Sequence, residues 1–106
     1  MFGRQVTLKL KANSATELNR IAADEILPIL RKQKGFRDET TFIAPERSEA
    51  IVNSFWETKA DAEAYGHTAY AEVLKTLSNV IDGTPTVKNF EFATSTFQQA
   101  ATSKLV

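Results

Sequence analysis

The chain has 106 residues, 42% of them hydrophobic and 25% charged, which is the composition of one ordinary globular domain with a single core. Thirteen basic residues balance thirteen acidic ones, arguing against a nucleic-acid partner, because phosphate binding needs a basic surplus gathered on one face. Cysteine is absent, so disulfides and thiolate chemistry are excluded, and no apolar run nears the roughly 20 residues that span a bilayer.

Gln5 to Lys11 alternates: Val6, Leu8 and Leu10 face one way, and Gln5, Thr7, Lys9 and Lys11 the other, a period-two strand with one apolar face. Ser14-Ala-Thr-Glu17 has the form of a capping box. Leu18, Ile21, Ala22, Ile26, Ile29 and Leu30 then recur at helical spacing, which predicts a helix from about Ala15 to Lys34 with Gly35 beyond it. Pro28 lacks an N–H and clashes one turn back, so a kink is expected near Asp24 to Pro28.

Phe36 to Ala44 reads as a second strand, with Phe36 and Phe42 on one row and Ile43 on the other. Pro45 to Ser48 is a turn, and Ile51 to Trp56 a third strand, apolar on both rows and therefore central. Thr58 and Asp61 form a T-x-x-D start for a second helical region. Gly66 is a poor interior helix residue, so the expectation is a short helix, a break at Gly66-His67, and a longer helix from about Thr68 to Val80. Asp82-Gly83-Thr84-Pro85 reads as a stop, and Thr86 to Phe97 as the last strand, with Phe90 and Phe92 on one row.

The order β-α-β-β-α-β predicts an α+β, ferredoxin-like layer: a four-stranded antiparallel sheet with helices on one face. The other face then exposes an apolar patch that a second copy would cover, so a homodimer is expected. Residues 1–106 form one domain, with a core of about 4–97. Phe97 and a tail, 98–106, are expected to dock on the partner. The N-terminus carries no leader-like apolar core, which fits a cytoplasmic location.

Three stretches carry a resemblance: Lys34-Gly35-Phe36 entering strand two, Ser54-Phe55-Trp56-Glu57 closing strand three, and Lys59-Ala-Asp-Ala-Glu-Ala-Tyr65 opening the second helical region. Over roughly Arg4 to Phe97 the chain resembles the antibiotic biosynthesis monooxygenase (ABM) domain family of the dimeric α/β-barrel superfamily. The resemblance implies a homodimer binding a small apolar or aromatic molecule between sheet and helices. It also implies a possible activity, oxidation of an aromatic or polyketide-like phenol by dioxygen without metal or flavin. A non-catalytic small-ligand-binding or stress-related protein of the same fold is the alternative. The haem-degrading branch uses an asparagine on strand one, a tryptophan on helix two and a ligating histidine beyond it. Here strand one has no asparagine, the helix-two aromatic is Tyr65, and the single histidine, His67, follows it by two residues, so no cofactor is expected.

His67 is the one side chain that ordinarily titrates near neutrality and is the candidate base. Asn53 and Tyr65 match the positioning residues implied by the oxygenase branch. Trp56, Phe42 and Tyr70 are the expected substrate-binding side chains, although Trp56 and Tyr70 also suit a core. One histidine without cysteine or a carboxylate cluster makes no ordinary metal site.

Overall fold

The structure is a computed structural model and describes residues 1–93; the expectations for Phe97 and the tail lie outside the described residues. Its elements are β1 (Phe2–Leu10), α1 (Ala15–Ile21), a π-helical turn (Ala22–Ile26), α2 (Leu27–Arg31), β2 (Phe36–Ile43), β3 (Glu49–Trp56), α3 (Lys59–His67), α4 (Tyr70–Leu77) and β4 (Ile81–Glu91). The strands form one antiparallel sheet in the order β2-β3-β1-β4, the α+β ferredoxin-like arrangement. No helix among the described residues is long and apolar enough to cross a membrane.

The period-two pattern of β1 begins earlier than Val6. Phe2, Arg4, Val6, Leu8 and Leu10 all lie on the buried row, against the helices. Ala50, Val52, Ser54 and Trp56 continue that face on β3. Leu8, Leu18, Ile26, Leu30, Trp56 and Leu77 are the largest fully buried side chains and mark the centre of the core.

The first helical segment kinks where expected, by a wide turn. Pro28 has no N–H to give to Asp24, and the π-helical turn at Ala22–Ile26 re-routes the ladder just ahead of it. The turn also helps packing. Leu18, Ala22, Ile26 and Leu30 are buried at every fourth position. In an ideal helix such a series drifts by about 40° per step, and a wider turn takes part of that drift back. The segment ends at Arg31, three residues before the expected end. Ser14 occupies the N-cap but makes no capping bond, its hydroxyl turning back to the Ala12 carbonyl at 3.5 Å; Glu17, the other half of the box, accepts instead from Arg20 Nε at 2.7 Å. The second start signal forms: Thr58 Oγ1 accepts from the Asp61 N–H at 3.1 Å.

Three sequence expectations are corrected. A bulge between Phe36 and Asp38 reverses row parity in β2, so Phe36 packs inward, edge-on to Trp56, while Phe42 lies on the opposite face at 60% exposure. Gly66 stays helical and the break falls at Thr68-Ala69. Finally, β4 begins at Ile81, since Asp82 pairs with Lys9 and the turn-like residues are absorbed in a bulge opposite Thr7 to Lys9.

The face turned away from the helices carries three rungs. Phe42, Ile51, Thr7 and Thr86 form one; Thr40, Asn53, Gln5 and Lys88 the next; Asp38, Phe55, Gly3 and Phe90 the third. Phe92 packs edge-on to Phe55 at 5.5 Å. No element of the described residues covers this face, and Phe42 and Phe90 stand exposed on it.

Candidate functional site

A cavity of about 20 Å³ lies between the buried sheet face and the helices, lined by Arg4, Ser54, Tyr65 and Tyr70 with aliphatic side chains of β1, β3, the π turn, α2 and α4. That is room for about one water, far below the roughly 300 Å³ at the low end of ligand sites. A larger hollow of about 620 Å³ at the β1–α1 loop and the β2–β3 turn is an open surface groove, remote from these side chains.

Arg4 is the centre of the cluster and was not among the sequence candidates. It is only 9% exposed, and its Nε has no hydrogen-bond partner among the described residues. The guanidinium carbon sits 4.3 Å from the Tyr70 ring centroid and 5.7 Å from that of Tyr65, within cation–π range. Gly66 faces it: a Cβ there would stand 3.0 Å from Arg4 Nη1. The glycine that looks like a helix flaw is therefore the space the guanidinium fills. The signal was present in the sequence, since period two places Arg4 on the row of Val6, Leu8 and Leu10.

Tyr65 is buried, stacked on Trp56 at 4.9 Å and edge-on to Tyr70 at 5.9 Å. Burial pushes its hydroxyl pKa well up, against the opposing pull of the Arg4 charge. Burial raises Tyr70 too, again opposed by Arg4. Both phenols stay protonated near neutrality and act as hydrogen-bond donors rather than bases. Ser54 Oγ accepts from Trp56 Nε1 at 2.9 Å, which leaves its own proton to donate.

The structure thus brings together Tyr65 and Tyr70, with Trp56 behind them. Trp56 is fully buried and packed by Tyr65 and Phe36, so its ring holds the core and does not line the cavity. Asn53 and Phe42 lie on the opposite sheet face, where Asn53 Nδ2 donates to Thr40 Oγ1 at 3.3 Å. His67 is exposed at the end of α3 and does not line the cavity. Among the described residues no group of three or more His, Cys, Asp or Glu is arranged to hold a metal ion.

No protein-family model matches the sequence. No curated protein matches it either. Solved structures do resemble it. The monooxygenase ActVA-Orf6 of Streptomyces coelicolor, in complex with nanaomycin D, superposes with a TM-score of 0.76 at 18% identity, over 89% of this chain and 88% of that one. A Bordetella bronchiseptica protein provisionally named an antibiotic biosynthesis monooxygenase superposes with a TM-score of 0.75 at 11% identity, over 88% and 97%. A MhuD variant with two manganese protoporphyrin IX bound per active site gives 0.72 at 15% identity, over 90% and 97%. The chain has the fold of the antibiotic biosynthesis monooxygenase structures.

Proposed function

We propose that this protein binds a small aromatic or polyketide-like molecule in the layer between sheet and helices and oxidises it with dioxygen, without metal or flavin. The observation that carries the reading is a cluster of polar donors, Arg4, Ser54, Tyr65 and Tyr70, set in an otherwise aliphatic cavity. Supporting it is the likeness in fold to ActVA-Orf6, whose complex holds nanaomycin D. In such a reaction an ionised phenol delivers an electron pair from carbon to dioxygen. The resulting hydroperoxide loses water, so one oxygen becomes a carbonyl and the other leaves with two hydrogens. The protein's part is to bind, to exclude water, and to hold negative charge on the phenol oxygen by hydrogen bonds from Tyr65 and Tyr70. A porphyrin finds no imidazole at this cavity, since His67 lies outside it, and no haem step enters the reading.

Assembly belongs to the same reading: two copies pack their open sheet faces together and bury Phe42, Phe55 and Phe90. Light scattering checks this. A dimer mass is expected for the parent and a monomer for Phe42→Lys with Phe90→Lys; a monomeric parent sinks it.

Oxygen uptake with an anthrone-type phenol tests the chemistry. Uptake above that of the phenol alone is expected, equal in His67→Ala and reduced in Tyr70→Phe. Loss of uptake in His67→Ala would restore the histidine as base. The second reading, a non-catalytic small-ligand-binding or stress-related protein, is favoured by the small cavity, and binding without oxygen uptake would establish it.

A further inference from the structure

We propose that Arg4 is a seat for an oxyanion, so that the ligand of this site is an acidic aromatic molecule bound in its ionised form. The inference rests on the reading of the sheet–helix layer as a small-molecule site and narrows its ligand class.

Arginine is rarely buried without a partner, because stripping a cation of water is costly unless another charge or hydrogen bonds replace it. Here the replacement is incomplete. The ion pairs among the described residues join Arg20 to Glu17 and Glu25, Arg37 to Glu57, and Lys59 to Glu63; none includes Arg4. By strand register the acids nearest on its face are Glu91, opposite Phe2, and Glu39, one strand beyond Ser54, and neither is within ion-pair distance. Residues 94–106 contain no aspartate or glutamate. The two tyrosine rings offer the guanidinium their π faces, and the Tyr70 hydroxyl lies close enough to interact with it, but Nε is left without an acceptor among the described residues.

The other polar groups point to the same chemistry. Tyr65, Tyr70 and Ser54 all have a proton to give, and no carboxylate, imidazole or carbonyl-bearing side chain lines the cavity. One cation with three hydroxyl donors around it matches an acceptor-only group, which is what a carboxylate, phenolate or enolate oxygen is. The same set contains no base, so the molecule must arrive ionised or lose its proton to water. The space fits an oxygen-sized head, and the aromatic remainder would lie toward half-buried Tyr70 at the start of α4.

Naphthoate and its uncharged isostere naphthamide are the probes, with binding followed by quenching of Trp56, the single tryptophan, and by calorimetry. Naphthoate is expected to bind about tenfold or more tightly than the amide, the range a charge-assisted hydrogen bond supplies. The preference should vanish in Arg4→Met, with a cooperative urea unfolding transition showing that the variant is still folded. Gly66→Ala, which crowds the guanidinium without removing its charge, should lower naphthoate affinity alone. Equal binding of acid and amide by the parent, binding of neither, or a preference that survives Arg4→Met overturns the proposal. Oxygen uptake with the anthrone is an independent readout. Acid-selective binding without uptake keeps the oxyanion seat and removes the oxygenase; uptake indifferent to Arg4→Met does the reverse.

Discussion

Replacing Arg4 by methionine is expected to make the fold more stable by about 1 kcal/mol, although it deletes a buried side chain. Methionine keeps an unbranched stem of similar reach, so the packing of β1 against α3 and α4 survives in outline. The change removes a buried cation whose Nε is unpartnered; an unmet buried donor alone costs about 1–3 kcal/mol, and desolvating the charge adds to it. Against this stands the loss of the stack on Tyr70 at 4.3 Å, about 1–2 kcal/mol in a desolvated setting. The cavity also grows. If it doubles from its present volume of about 20 Å³, the added cost at ~24 cal/mol per Å³ is about 0.5 kcal/mol. Relief of the unpaired charge is the largest of these terms, so the balance favours the variant. Urea denaturation followed by Trp56 fluorescence measures it, at one fixed protein concentration. The midpoint of thermal unfolding should rise by about 4 °C. A variant less stable than the parent by 1 kcal/mol or more would refute the reasoning, and Arg4 would then be a structural strut.

Other outcomes follow from the same geometry. Gly66→Ala gains helix propensity but drives a Cβ to within 3.0 Å of Arg4 Nη1, so in the parent it should be nearly neutral; in the Arg4→Met background the full gain of about 1 kcal/mol should appear. Additive single and double variants would show that the two residues do not meet. Gly35→Ala should cost about 2 kcal/mol or more in urea denaturation, since φ is +79° and the new Cβ would overlap the Asp61 side chain from Oδ2 back to its Cβ; a loss under about 0.5 kcal/mol would contradict the strain argument. Tyr65 and Tyr70 are held protonated above their ordinary value of 10.0. Their folded pKa exceeds the unfolded one, so stability is intact below pH 10 and falls as pH rises beyond about 10, where only the unfolded chain ionises. Tyr65→Phe should flatten that alkaline loss, and an unchanged slope would count against it.

Much of this architecture can be read from residue order. The alternation of Val6, Leu8 and Leu10, the spacing of Leu18, Ala22, Ile26 and Leu30, and the Thr58 cap each reflect local physics that the tertiary structure does not override. Where the readings diverge, the causes are specific. Parity along β2 fails at the Phe36/Asp38 bulge, which depends on the neighbouring strand and has no local mark. Glu17 satisfies the capping pattern but finds a stronger partner in Arg20. Asp82-Gly83-Thr84-Pro85 has turn composition, yet pairing to β1 carries the strand through it. The candidate site was half legible. Tyr65 and Tyr70 announce themselves as polar aromatics beside a break. Arg4 does not, because a charge on an apolar row looks like the end of the row.

The wide turn at Ala22–Ile26 gives the first helical segment one residue more than a regular helix of that span needs, and Ile26 and Leu30 just beyond it form part of the cavity wall. Deleting a single residue within that turn would restore an even winding and leave Ile26 and Leu30 in phase with Leu18. The wall of this chamber can therefore tolerate a one-residue change of chain length at that point, with every amino-acid type around it unchanged.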